Sequence, residues 1–177
     1  MSFVVTVRKR AGWVGVGLAA CILAAGPLSA QPRGCTVTTY TDPPRETLSC
    51  PDGLRITAEE GSVYALRDRN RDGRPDVVEL TSRGVLVDVP AGRRGGFQVQ
   101  TPHAIASVRG TTWAVDVTPA RSSVFVQTGV VAVNRPGGPA VTLRAGDGVD
   151  VAPDAAPLEV KRWGRERAAN FLARFGR

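Results

Sequence analysis

The chain holds one histidine, one methionine and three cysteines among 177 residues, and only 6% of it is aromatic. A single histidine, His103, leaves no set of imidazoles for zinc, and no Ser or Cys beside it has the context of a nucleophile. The sequence has no G-x-S-x-G elbow, no phosphate-binding loop and no paired carboxylates with a buried look. These absences argue against an enzyme and leave His103 as an exposed position in the Thr101–Val108 run. Aromatic residues are also thinly spread. Outside the terminal segments Tyr40, Tyr64, Phe97, Trp113 and Phe125 are scattered, so no stacking platform for a cell-wall glycan stands out, although a glycan-binding module is one alternative reading. Between Cys35 and Pro153 no stretch shows helical periodicity.

What is present begins with a leader. Arg8, Lys9 and Arg10 precede an apolar stretch from Ala11 to Leu23, and Pro27-Leu28-Ser29-Ala30 follows. A basic region, an apolar region and a small terminal residue make a secretory signal over residues 1–30, with cleavage after Ala30. Two other readings share the segment. Leu18-Ala19-Ala20-Cys21 spells a lipobox, which would lipidate Cys21. The apolar stretch, if kept, would be an N-terminal membrane anchor, though it is Gly-rich and short for a span of about 20 residues. Each of the three puts the rest of the chain outside the cytoplasm, in the periplasm of a two-membrane envelope.

The formal charge of +7 is unevenly placed. Residues 31–157 carry equal numbers of acidic and basic side chains, so the excess lies in the leader and in the last twenty residues. A basic tail on a neutral body argues against a nucleic-acid-binding fold. After a Pro/Ala linker (Pro153–Pro157), Val160–Phe175 reads as a short helix with Trp163, Ala168, Phe171, Leu172 and Phe175 on one side. That side either docks on the β-structure or rests on an anionic membrane surface.

Removing the leader removes Cys21 and leaves Cys35 and Cys50, an even pair in an exported chain, which reads as a disulfide. It would pin a hairpin within residues 31–57, with strands Thr36–Thr41 and Glu46–Cys50 about the turn Asp42-Pro43-Pro44-Arg45. On loop-closure grounds the bridge is worth about 3 kcal/mol. Short Val/Thr/Leu runs then recur between Gly, Pro and Asp: Leu54–Ala58, Ser62–Leu66, Val77–Leu80, Val85–Val89, Phe97–Gln100, Ile105–Val108, Trp113–Val117, Ser123–Gln127, Val130–Asn134, Val141–Arg144 and Val149–Val151. Val85–Val89 and Trp113–Val117 alternate with period two, so one face is buried. The expectation is an all-β fold of stacked short strands, with a short C-terminal helix.

The stretch Phe97-Gln98-Val99-Gln100-Thr101-Pro102-His103-Ala104-Ile105-Ala106-Ser107-Val108-Arg109-Gly110-Thr111-Thr112-Trp113 resembles the core motif of the FecR domain, V-x-T-P-x-A-x-A-x-x-R-G-T. Ser123–Val133 and Val141–Val151 are similar to the family's later strands. The resemblance implies a FecR-like domain over 58–152, either a solenoid-like roll or a flattened sandwich, with Thr101, Pro102, Arg109, Gly110 and Thr111 in structural roles. Gly110 and Gly129 would supply turns, and the Arg109 guanidinium would anchor a corner by satisfying turn carbonyls. Well-known FecR proteins add a cytoplasmic anti-sigma segment, a mid-chain membrane helix and a further periplasmic region. Only ten residues precede the apolar stretch here, and only the linker and helix follow Val151. Sigma-factor regulation is therefore not carried over. The expectation is a non-catalytic periplasmic interaction, sensing or structural module for an unidentified envelope protein, or else an anchored accessory of envelope signal transduction.

Asp68-Arg69-Asn70-Arg71-Asp72-Gly73-Arg74-Pro75-Asp76 has the D-x-N-x-D-G-x-x-D spacing of a calcium loop, with Glu79 at the twelfth position. Oxygens of Asp68, Asn70 and Asp72 can converge on a hard cation, Gly73 allows the turn, and Arg74 offers its carbonyl. Strand-like flanks and Pro75 make the run more similar to the loops of FG-GAP/VCBS repeats than to an EF-hand. Ca2+ is the one cofactor this pattern suggests, with Asp76 completing the candidate ligand set. An ordinary Asn/Asp/Gly turn is the alternative.

Overall fold

The computed structural model describes residues 2–6, 32, 34–154 and 156–177. The basic cluster, the apolar stretch, Cys21 and the Ala30 cleavage position lie outside the described residues. Fourteen strands and one helix are described: β1 (Ser2–Thr6), β2 (Thr36–Thr41), β3 (Pro44–Ser49), β4 (Arg55–Glu59), β5 (Val63–Arg67), β6 (Val77–Asp88), β7 (Phe97–Gln100), β8 (Ile105–Val108), β9 (Thr112–Thr118), β10 (Arg121–Thr128), β11 (Val130–Asn134), β12 (Ala140–Arg144), β13 (Asp147–Val151), β14 (Lys161–Arg162) and α1 (Arg165–Ala173).

The strands form one sheet that folds back on itself at β6. The first half runs β1-β5-β6-β7-β8-β11-β12, and the second runs β2-β3-β4-β6-β9-β10-β13-β14. The two Val-rich runs expected at Val77–Leu80 and Val85–Val89 are thus the two halves of one twelve-residue strand. A polar middle, Thr81-Ser82-Arg83-Gly84, disguised this. There the register with β5 shifts between Val63 and Tyr64, and Arg83 adopts a φ of 63°. A bulge with a left-handed residue bends a strand sharply. Residues before the bend pair with β5 and β7, and residues after it pair with β4 and β9.

Among the described pairings only β6–β7 is parallel. A solenoid would stack its strands in parallel, so the fold is the flattened, curled sandwich of the two expected forms. The inner faces meet in one core that includes Leu54, Ile56, Leu66, Leu80, Val85, Val87, Phe97, Trp113, Val115 and Leu143. Trp113 and Phe97 meet edge to face with centroids 6.1 Å apart.

Cys35 and Cys50 are joined in a disulfide at the base of the β2–β3 hairpin. The hairpin continues the sheet, because β3 pairs with β4 along its length. At the other border β1 lies antiparallel to β5, with Ser2 opposite Arg67 and Thr6 opposite Val63. Cleavage after Ala30 would remove β1 and leave β5 as an edge.

The helix is shorter than expected because Lys161 and Arg162 extend along β13 as β14. Its aromatic side is docked. Trp163, Phe171 and Phe175 are buried with Leu86, Ala114 and Phe125 on the outer face of the second half-sheet. With its apolar side so covered, this helix has no aromatic face left to lay on a membrane.

Candidate functional site

The FecR-like motif forms a corner where β8 hands over to β9. Gly110 and Gly129 have φ of 65° and 87°. A Cβ on Gly129 would meet Thr111 Oγ1 at 2.9 Å and the Gly110 carbonyl at 3.0 Å, so both chain path and space require glycine. Buried Thr111 ties the corner together. Its hydroxyl meets the carbonyls of Val130 at 3.1 Å and Arg109 at 3.4 Å, and its backbone exchanges hydrogen bonds with Val89. Arg109 does not perform the anchoring expected of it. Its side chain is exposed and makes no hydrogen bond or ion pair among the described residues, and a threonine with one hydroxyl does the work instead.

Thr101 closes the turn between β7 and β8, accepting from the amides of His103 and Ala104 and donating to the Ala104 carbonyl. Pro102 sits exposed at the tip. His103 is half-buried rather than exposed, because Nδ1 lies 3.0 Å from the hydroxyl of fully buried Ser122. That hydroxyl donates to Thr101 Oγ1 at 2.8 Å. Thr101, His103 and Ser122 thus form one hydrogen-bonded chain that braces the β7–β8 turn of the first half-sheet against β10 of the second.

The loop Asp68–Asp76 lies between β5 and β6, and its side chains serve its own backbone. Asp68 accepts from the amides of Asp72 and Gly73 at 3.2 and 2.8 Å, Asn70 from Asp72 at 3.2 Å, and Asp72 from Arg74 at 2.9 Å. Asp76 accepts from the Arg69 amide. Arg71 and Gly73 take the left-handed conformation at φ of 59° and 88°. Glu79 stands apart on β6, paired with Arg67 at 2.7 Å. Among the described residues no three His, Cys, Asp or Glu side chains are grouped to hold a metal ion.

Sequence reasoning missed the group that organises this end of the molecule. The side chain of Arg93, almost wholly buried, donates from Nε to Asp52 at 2.9 Å and from Nη2 to the Pro75 carbonyl at 2.7 Å, and it lies over Phe97. One guanidinium thereby joins three loops: Pro51–Gly53 beside the disulfide, the Asp-rich loop, and the β6–β7 connection. A cleft of about 210 Å³ opens there between the disulfide, Asp52, Arg74 and Pro75. No local pattern marked Arg93, which reads in sequence as one of several arginines in a glycine-rich turn.

Several arginines of the tail reach carboxylates of the sheet. Arg174 bonds Glu59, with Nε 2.8 Å from Oε2, and also Asp116. Arg167 clasps Asp150 at 2.7 and 2.8 Å and stacks on Trp163, and Arg177 meets Asp88 at 2.8 Å. Burial opposes the charge on Arg174, yet its two carboxylate partners raise its pKa overall. Burial likewise opposes ionisation of Asp150, but Ser123, Arg167 and Arg121 outweigh it and hold the carboxyl below its ordinary range. Burial, with Glu46 nearby, pushes the Tyr64 phenol up, so it stays neutral.

A curled, bent-strand β-sandwich with a braced T-P/R-G-T corner and a stapled terminal helix defines a β-scaffold class. The family described as "FecR protein" matches residues 36–132, more than half of the chain. The chain belongs to the FecR family. No curated protein matches it. In fold it is similar to two crystal structures of a "putative anti-sigma factor" from Parabacteroides distasonis ATCC 8503. Both are 18% identical, with TM-scores of 0.59 and 0.58 over 78% and 77% of this chain. The alignment spans 64% of each of those chains, so this protein covers under two thirds of their length. At that identity the likeness concerns fold alone.

Proposed function

We propose that this FecR-family protein is exported and acts in the periplasm as a non-catalytic interaction, sensing or structural module. The observation that supports it best is where the polar chemistry is spent. The hydroxyl–imidazole chain, the Asp52–Arg93 pair and the Asp-rich loop all fix loops in place. Rigid loops on a packed β-scaffold are the usual arrangement of a recognition surface. The surface offers few stacking groups, since Trp113, Trp163, Phe97, Phe125, Phe171, Phe175 and Tyr64 are all buried. That favours a protein partner over a glycan.

Cross-linking in the periplasm followed by mass spectrometry tests the reading. A specific envelope protein joined through the loops at 50–54, 68–76 or 90–96 supports it, and retention on peptidoglycan alone sinks it. Intact mass of the protein from the envelope decides the N-terminus. A start at Gln31 supports a soluble periplasmic module, and a lipidated Cys21 an anchored signalling accessory. Calcium is a second proposal, motivated by the oxygens of Asp68, Asn70 and Asp72 converging on the amides of residues 72–74. Millimolar Ca2+ would then shift those amides and raise Tm; unchanged spectra dispose of the ion and leave the interaction reading untouched.

A further inference from the structure

The outer strands of this sheet are not equally protected. An open strand edge is a template for pairing with another chain, and proteins guard it with charge, proline, a bulge or brevity. Among the outer strands built from residues after Ala30, β5 carries Arg67, β12 carries Arg144, and β14 is the two-residue Lys161-Arg162. Strand β2 differs. Its six residues, Thr36-Val37-Thr38-Thr39-Tyr40-Thr41, contain no charge, no proline and no glycine, and all six are exposed. Among the described strands it pairs with β3 alone, in unbroken register. Among the described residues it also carries two of the four exposed large hydrophobic side chains, Val37 and Tyr40. The disulfide at its foot and the full β3 ladder hold it in place.

We propose that the free edge of β2 joins the β2 of a second copy of this chain, making an antiparallel dimer with one continuous sheet. Residues directly opposite in an antiparallel pair point to the same face, so a two-fold between identical strands must stand perpendicular to the sheet. It then passes between a residue and its own copy. With Thr38 facing Thr38 of the other molecule, Val37 faces Thr39 and Tyr40 faces Thr36. Every facing pair is β-branched or aromatic on β-branched, the favourable cross-strand combination. No like charges meet, because the strand has none. The neighbouring charged groups stay out of the new ladder: Asp42 lies beyond the end of the strand, and Arg45 and Glu46 stand on β3 opposite Tyr40 and Thr39, with β2 between them and the second copy. A second copy therefore supplies an uncharged edge of matching length and composition.

Sedimentation of the purified full chain across a wide range of concentration is expected to show a monomer–dimer equilibrium. Thr38→Lys and Thr38→Glu each place like charges opposite each other at the two-fold and should weaken dimerisation by about tenfold or more. Mixed in equal amounts, the two variants should recover a heterodimer. This recovery separates edge pairing from damage to the hairpin, which unchanged Tm values check in parallel. A wild-type chain that stays monomeric overturns the proposal. So does a dimer indifferent to both substitutions, or a β2 edge whose amides become protected only when a different protein is added.

Discussion

The two faces of the second half-sheet come from the same strands and are buried by different means. On β6, Val85 and Val87 point inward while Leu86 points outward, and on β9 Val115 points inward while Ala114 points outward. The inner face is closed by the rest of the sheet and needs no charge. The outer face is closed by nine helical residues and Trp163, with Arg174, Arg167 and Arg177 reaching sheet carboxylates around the rim. A nine-residue helix with Gly164 at its N-cap and no capping side chain is marginal in isolation. It exists because it docks. The contrast is between a contact that defines the fold and a contact that can be released from it, and it can be tested on each side.

The largest effect is expected inside. Trp113 is fully buried, and its indole N–H has no partner, so its volume is what the core uses. Trp113→Ala should cost about 3–5 kcal/mol, much of the stability of a domain this size, and lower the global Tm. Trp113→Phe should cost clearly less. Equal losses for the two would show that the indole nitrogen matters and that the core is not a matter of packing alone.

On the outer face, Arg174→Ala leaves Glu59, almost fully buried, facing Asp116 without its cation. Leaving a partly buried carboxylate uncompensated should cost about 2 kcal/mol. The loss should be local: trypsin would cut at Arg165 and Arg167 much faster, while amides of β6 and β9 facing the inner core keep their hydrogen-exchange protection. A variant that loses both together would erase the distinction between the two faces.

Much of this was legible from sequence, and the gaps share a cause. Period-two alternation marks which side of a strand is covered, so β9 and the second half of β6 were visible, as was the aromatic side of the helix. The unity of β6 was hidden because its bend falls on Thr81–Gly84, which are polar for the reason that they cross between half-sheets. The R-G-T corner was visible as a motif, but the anchor is Thr111 and not Arg109. A hydroxyl with two carbonyls 2 and 19 positions away leaves no trace in spacing. Arg93 was invisible for the same reason, since Asp52 lies 41 residues from it. The Asp-rich loop is the reverse case. Its spacing is conspicuous in sequence, and in the structure its oxygens accept from the loop's own amides.

The smallest effect is a pH dependence confined to the outer face. Asp150 accepts from Ser123 and, at both carboxylate oxygens, from Arg167 Nη2, and its carboxyl is held below the ordinary range. A group whose pKa is depressed on folding stabilises the fold above its unfolded value, about 4, and gives up that contribution as pH falls through the folded one. Helix docking should therefore be constant from neutral pH down to about 5 and weaken below about 4. Asp150→Asn should flatten this dependence while costing little at neutral pH, because the pair is more than a third exposed and screened by solvent. Acid titration of trypsin susceptibility is unsuitable at such pH, so the readout is near-ultraviolet circular dichroism, where Trp163 stacked on Phe125 should lose its signal before Trp113 does. If both signals disappear at one pH, the helix and the core melt as a unit, and the outer face is part of the fold after all.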